Sequence, residues 1–217
     1  MDDYLKAIYE LSGPAGEAAT SNAIAQRLGV SAPSVTGMLQ KLSTGRRPSI
    51  IYQKHRGAHL TNEGRKQALR IIRRHRLVEL FLCQVLGYSW DEVHQEAERL
   101  EHVISEKLEE RIALKLGHPE FDPHGDIIPG TDGTLPRHKT TALADVAPGS
   151  SVVVSSVSDR DPEILRYLKR IRLMPNRSLV VIDHGPFDGP TTVRLDDEAD
   201  IRALSPRLAA AIFVRMQ

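Results

Sequence analysis

The sequence predicts a mainly α chain that finishes in a small all-β unit, and three observations carry that prediction. Helix-forming stretches with apolar residues three and four apart fill the first half, among them LTNEGRKQALRIIRRHRLVELFLCQVLG and VHQEAERLEHVISEKLEER. After Gly149 come short β-type runs, SSVVVSSV, SLVVIDH, TTVRL and AAAIFVRM, broken by Gly, Pro and Asp. Between the two, Gly117 to Gly149 is rich in Pro, Gly and Asp and reads as a tether. At 217 residues, 41% hydrophobic and 26% charged, the chain suits one or two globular domains.

The N-terminal segment MDDYLKAIYEL predicts a helix from about Asp3 to Leu11, followed by the loop SGPAGEAAT. Thr20 or Ser21 caps a second helix with Ile24, Ala25 and Leu28 on one face, and Gly29 ends it in the left-handed conformation. Ser31 caps a third helix. Pro33 sits in its first turn, where a missing amide hydrogen costs nothing, and Val35, Leu39 and Leu42 face inward. This is helix-turn-helix grammar. The third helix offers Ser31, Pro33, Ser34, Thr36, Gly37 and Gln40, then Lys41, so its N-terminal end can approach base edges closely. SIIYQKHRGAHLT then reads as strands Ile50 to Gln53 and Ala58 to Thr61 joined by a cationic turn. Such a wing would lay Lys54 and Arg56, with Arg46 and Arg47 before the first strand, on phosphates. An exposed basic hairpin on a small helical domain is the plainer alternative.

Charge is divided along the chain in the matching way. Residues 1–76 hold 13 Lys and Arg against 5 Asp and Glu, residues 77–130 hold 4 against 12, and the remainder 12 against 11. A neutral total thus conceals a basic third suited to a polyanion and an acidic middle suited to cations. No apolar run is long enough to span a bilayer, and the N-terminus has no basic leader or cleavage site, so the expected location is the cytoplasm. The single cysteine, Cys83, excludes an intrachain disulfide and a Cys-rich zinc module, and reads as a small core residue.

The acidic middle contains candidate ligands. Thr61 or Asn62 caps one long helix on which His75 and Glu79 stand one turn apart. Residues 93–111 read as a single further helix with an apolar stripe of Val93, Ala97, Leu100, Ile104 and Leu108. His94, Glu98, Glu101 and His102 then fall within an arc of roughly 100° on it, which fits either a solvated face or a metal site. The second His/Glu pair, and Asp3 at the start of the first helix, favour metal.

RRHRLVELFL, VHQEAERLEHVIS and HPEFDPHGDIIPG, in this order behind a winged helix, resemble the diphtheria toxin repressor family of metal-dependent transcriptional regulators. The resemblance covers Asp3 to about residue 130. It implies a homodimer on a double-stranded DNA operator, with no membrane partner and no enzyme activity, whose divalent-metal sites lie between DNA-binding and dimerisation domains. It implies two sites per subunit, one of His75, Glu79 and His94, the other of Asp3, Glu98, Glu101 and His102. The β-type runs correspond to the SH3-like (FeoA-like) barrel of longer members, whose ligands to the first site would map onto Asp161 and Glu163, although no Gln follows at the usual spacing. Asp161 could equally cap the helix ILRYLKRI. The implied domains are a winged helix-turn-helix at 1–62, a helical metal-binding and dimerisation domain at 63–130, a linker at 131–142 and the SH3-like domain at 143–217.

Two departures from the family pattern stand out. Lys6 occupies the position where manganese-responding relatives without the barrel place a second carboxylate, which argues against a two-ion centre there, and Gly37 replaces a Gln of the iron-responding members. Glu98, where iron-responding relatives carry Cys, resembles the manganese responders. Carboxylates and imidazoles without thiolate form a hard set for Mn²⁺, with Fe²⁺ as the alternative. The expected function is metal-dependent repression at an inverted-repeat operator in metal homeostasis. The rivals are a metallohydrolase using the His/Glu cluster to activate water and a constitutive DNA-binding protein with a structural metal.

Overall fold

The computed structural model describes residues 1–13, 16–136, 139–196 and 199–217, and the chain forms two compact units. Residues 137 and 138 of the expected linker lie outside the described residues. The first unit comprises Met1–Arg74, Glu101–Ile104 and Pro129–Leu135, and the second His75–Leu100, Ser105–Ile128 and Pro136–Gln217.

In the first unit, α1 (Asp2–Leu11), α2 (Ser21–Leu28) and α3 (Ala32–Leu42) precede a hairpin of β1 (Ile50–Gln53) and β2 (Gly57–Leu60). Thr20 caps α2, its hydroxyl accepting from the Ala23 amide, and Gly29 ends it at φ 65°. Ser31 caps α3 by accepting from the Ser34 amide. Leu5, Ile8, Ile24, Val35, Leu39 and Ile50 share one core, so the helix-turn-helix and the hairpin are braced by the same side chains. The second strand starts one residue earlier than expected, at Gly57, which pairs with Gln53. Gly57 is at φ +98°, and a Cβ there would meet the Ala19 carbonyl oxygen at 2.6 Å. That close approach lets Ala19 and Ala58 exchange two 2.9 Å backbone hydrogen bonds, tying the wing to the segment before α2.

The helix α4 (Asn62–Leu86) opens with the Thr61 hydroxyl accepting from the Gly64 amide at 3.1 Å. After Gly64 in its first turn no Pro or Gly interrupts it, and Gly87, at φ 74°, follows its last turn.

In the second unit, α5 (Val93–Leu100) and α6 (Glu106–Lys115) replace the single helix expected over 93–111. The physical reason is Ser105, whose hydroxyl accepts from the Leu108 amide and starts a new helix, leaving Glu101–Val103 in a turn. The apolar stripe is broken accordingly, with Val93 and Ala97 buried and Leu108 exposed.

The C-terminal portion is a six-stranded antiparallel sheet in the order β3-β8-β4-β5-β6-β7. Its strands are β3 (Thr141–Ala142), β4 (Ser151–Val157), β5 (Ser178–His184), β6 (Thr191–Leu195), β7 (Ile201–Leu204) and β8 (Ile212–Met216). Two helices are inserted, α7 (Pro162–Arg170) after β4 and α8 (Pro206–Ala210) after β7. The β-type runs seen in the sequence become β4, β5, β6 and β8; β3 and β7 lay outside them, and the last run opens with Ala209 and Ala210, which end α8. The expected barrel is not closed, since no pairing among the described residues joins β7 to β3. Instead α8 packs against both β7 and the 3₁₀ turn Leu143–Asp145 that follows β3. Val152, Val154, Leu165, Leu179, Val193 and Trp90 belong to one core, with Cys83 packed against it. Cys83 is half-buried, and burial pushes its thiol up to about 11.

Part of the expected tether is ordered. Asp122 Oδ1 accepts the amides of His124 and Asp126, both at 2.9 Å, and Ile128 donates to the Glu120 carbonyl. The Val157 amide donates to the His124 carbonyl, pinning this loop to the end of β4. Gly125, at φ +88°, permits it, because a Cβ would lie 2.1 Å from the Ser155 carbonyl oxygen.

Candidate metal centres and nucleic-acid interface

The first centre is built on Glu79, which is completely buried. One helical turn before it, His75 places Nε2 2.9 Å from Glu79 Oε1. From α5, His94 Nδ1 approaches three groups at once: Glu79 Oε1 at 3.2 Å, His75 Nε2 at 3.1 Å and Asp159 Oδ2 at 3.0 Å. Asp159 comes from the stretch between β4 and α7. One nitrogen carries at most one proton, yet here it faces two carboxylate oxygens and a second imidazole nitrogen. A cation among them satisfies all four residues, whose ligand atoms lie within 4.8 Å of one another.

The electrostatics agree. Burial alone would raise the Glu79 pKa, but the charge of His75 and the nearby His124 and His94 hold the carboxyl well below its usual range. Burial disfavours the His94 imidazolium, but Asp159, Glu79 and Glu98 hold its proton and push it up to about 12. Burial likewise acts against the Asp159 carboxylate, and the His94 hydrogen bond overcomes it, drawing Asp159 down to about 2. The pocket therefore stores positive charge as protons, the charge that a divalent ion would replace.

Behind Glu79 stand His124 and Asp122, buried residues of HPEFDPHGD for which no ligand role was expected from the sequence. His124 Nε2 donates to the Trp90 carbonyl at 2.7 Å, so its Nδ1 faces Glu79 Oε2 at 3.7 Å. Neither of these last two atoms has a hydrogen-bond partner among the described residues. Burial disfavours the His124 imidazolium, yet Glu79 outweighs it and raises the ring to about 9. Burial and the adjacent Asp126 and Glu79 raise Asp122 to about 8. Arg76 donates to the Ile127 carbonyl and lies 3.5 Å from Asp122, which clamps the loop carrying both residues. The legible signal was the Asp-x-His spacing of DPHGD, which an Asx-type turn converts into two side chains aimed at one point.

The second centre lies in the first unit. His102 Nε2 is 2.7 Å from Asp3 Oδ1 and 3.5 Å from Glu101 Oε1, in the turn that follows α5. These three residues form a second compact ligand group, with Glu101 buried and the other two exposed. Oxygen and imidazole nitrogen donors without thiolate suit a hard divalent ion.

The expected common face of His94, Glu98, Glu101 and His102 therefore does not exist. With α5 ending at Leu100, Glu98 stays one turn from His94, its Oε1 3.4 Å from His94 Nε2, whereas Glu101 and His102 turn toward Asp3. Asp161 and Glu163 are not brought into the first group. Asp161 caps α7 by accepting from the Glu163 amide and forms an ion pair with Arg207. Asp159, two residues earlier, takes the place expected for them.

On the reading surface, Ser31, Pro33, Ser34, Gly37, Gln40 and Lys41 are exposed along α3, and Thr36 is half-buried with its hydroxyl donating to the Ala32 carbonyl. Arg46 and Arg47 before the wing and Lys54 and Arg56 at its tip are also exposed. The apolar faces of α2 and α3 go to the core, so the polar face of α3 and the cationic wing remain for a phosphate-bearing partner.

Comparison with known proteins gives the context. Residues 1–58 match the N-terminal DNA-binding domain of iron-dependent repressors, 61–130 their metal-binding and dimerisation domain, and 141–216 the FeoA domain. The iron-dependent repressor IdeR of Mycobacterium leprae is 33% identical over 190 residues, covering 82% of this chain and 81% of its own. The diphtheria toxin repressor of Corynebacterium diphtheriae is 32% identical over 155 residues, covering 71% and 66%. Among solved structures, a manganese-dependent transcriptional repressor in complex with manganese superposes with a TM-score of 0.93 at 38% identity, covering 100% of this chain and 99% of its own. The manganese regulator SloR superposes at 0.80 with 33% identity, covering 100% and 98%. These relatives are regulators, and the metallohydrolase alternative finds no support among them. With its DNA-reading unit, its ligand groups and its FeoA domain in the same order as these relatives, the chain belongs to the iron-dependent repressor family of metal-dependent, DNA-binding transcriptional repressors.

Proposed function

We propose that this repressor responds to manganese, with Fe²⁺ as the alternative ion, and binds an inverted-repeat operator in the cytoplasm as a homodimer loaded with two ions per subunit. The first ion is assigned to His75, Glu79, His94 and Asp159, with His124 and Asp122 supporting Glu79, and the second to Asp3, Glu101 and His102. Glu98 belongs to the surroundings of His94 in this reading, and Asp161 and Glu163 serve the fold. The proposed domains remain 1–62, 63–130 and 143–217. Base contacts are assigned to Ser31, Pro33, Ser34, Thr36, Gly37, Gln40 and Lys41, and phosphate contacts to Arg46, Arg47, Lys54 and Arg56.

The observation that carries the switch is the 2.7 Å contact of His102 with Asp3. Asp3 opens the helix that shares a core with α2 and α3, and His102 arrives from a turn nearly a hundred residues later. A divalent ion supplies a strong bond to both that a single proton cannot match. Fixing α1 fixes the recognition helix, and in a dimer two such helices must lie about 34 Å apart to enter successive major grooves. A coupling of roughly 1–3 kcal/mol between ion and DNA is typical of such switches. Fluorescence anisotropy on a duplex selected from a random pool by the manganese-loaded protein tests the proposal. Tight binding with Mn²⁺ and weak binding with EDTA is expected; equal affinity in both would refute it.

A further inference from the structure

One cation is already built into the second centre. Lys6 places Nζ 2.9 Å and 3.2 Å from the two carboxylate oxygens of Glu101. The pair is nearly solvent-free, with side chains 10% and 2% exposed. Lys6 is not on the outer face of α1, because Leu5, Lys6, Ala7 and Ile8 are all buried. Burying an ammonium is costly unless it is paired. Glu101 is a partner of Lys6, and it is also a member of the ligand group with Asp3 and His102.

We propose that Lys6 is the resident counter-cation of the second centre: its ammonium holds Glu101 when no ion is bound, competes with an entering divalent ion for the same two oxygens, and so sets the metal concentration at which the site fills. The inference rests on the reading of Asp3, Glu101 and His102 as an ion site. Both oxygens of Glu101 lie within hydrogen-bond reach of the ammonium, so an ion that binds this carboxylate must share or take an oxygen that Lys6 already engages. The ion also meets a fixed positive charge across that carboxylate, which lowers affinity further. In return, the ammonium stabilises the ion-free protein, where a buried Glu101 without a cation would be costly. Lys6 thus determines specificity as a threshold, separating a hard ion at sufficient concentration from one that is merely present.

The test is a Mn²⁺ titration of the full-length protein, following the paramagnetic resonance signal of free Mn²⁺, for wild type, Lys6→Gln, Lys6→Arg and His102→Ala. His102→Ala identifies the class of sites in question by abolishing it. Lys6→Gln, which removes the charge and keeps the length, should tighten that class by roughly 5- to 150-fold. It should also lower the melting temperature of the metal-free protein, and Mn²⁺ should restore it. Lys6→Arg keeps the charge and should stay close to wild type. If Lys6→Gln does not fold without metal, Lys6→Met, which fills the same apolar path, is titrated instead. Unchanged or weaker binding in the charge-free variant, with the site still lost in His102→Ala, overturns the role of Lys6 alone. Retention of every site in His102→Ala overturns the ion-site reading on which it rests.

Discussion

Asp159 and Asp161 stand two residues apart, and substituting each separates the structural reading from the sequence expectation. Asp159 is three-quarters shielded, and its Oδ2 lies 3.0 Å from His94 Nδ1. Burial disfavours its charge, yet the cationic surroundings draw the carboxyl from 3.8 to about 2. At ~1.4 kcal/mol per pKa unit, that preference amounts to roughly 2–3 kcal/mol. A divalent ion in place of the His94 proton would carry twice the charge, so the same few kcal/mol set the scale of what the carboxylate would contribute to holding it. Asp159→Asn preserves shape and removes the charge, and should weaken Mn²⁺ binding at the first centre by about 100-fold. Asp161→Ala should leave that affinity unchanged and cost about 1 kcal/mol of stability, because it removes the cap of α7. Mn²⁺ titrations and urea unfolding of both variants provide the readout. A weakened site in Asp161→Ala beside an intact one in Asp159→Asn would refute the assignment.

Three further outcomes follow from the same geometry. His94 holds its proton up to about 12 in the ion-free protein, whereas an ion needs the lone pair, so loading at pH 7 should release a proton and affinity should rise with pH, up to about ten-fold per unit for each proton released; calorimetry in buffers of different ionisation enthalpy checks this, and no proton release would contradict it. Arg56→Ala, at the exposed tip of the wing, should weaken binding to all duplexes alike and flatten the salt slope by about one; a changed operator preference at constant slope would mean that the wing reads bases. Glu98→Cys places a thiolate beside His94 and should raise the response to Fe²⁺ and Co²⁺ relative to Mn²⁺; an unchanged metal order in a folded variant, measured anaerobically by operator binding, would remove Glu98 from ion selection.

The local grammar was legible because it is written in short-range rules. Thr20, Gly29, Ser31 and Thr61 announce helix ends through hydroxyl caps and a left-handed glycine, and the structure places them at those ends. His75 and Glu79 were readable as a pair because a continuous helix fixes their spacing. The break at Ser105 was not, since EHVIS has no Gly or Pro and the apolar period runs through it; the competing cap decided the outcome. Asp159 escaped because a ligand in an irregular stretch has no periodicity to reveal it. His124 and Asp122 were hidden for another reason: Pro, Gly and Asp compose tethers and tight turns alike, and only the hydrogen bonds of Asp122 distinguish the two.

The end of α5 at Leu100 has a practical consequence for altering this molecule. In one uninterrupted helix, every residue added or removed after His94 would rotate the following donors by about 100°, and the ligands could change only together. Here His94 rides on a helix, while Glu101 and His102 ride on a turn that Ser105 resets before α6 begins. A residue inserted between Leu100 and Glu101 therefore displaces the second group and leaves His75, Glu79 and His94 at their helical positions. The two ligand groups are thus separately adjustable by mutation, within a few residues of each other in the chain.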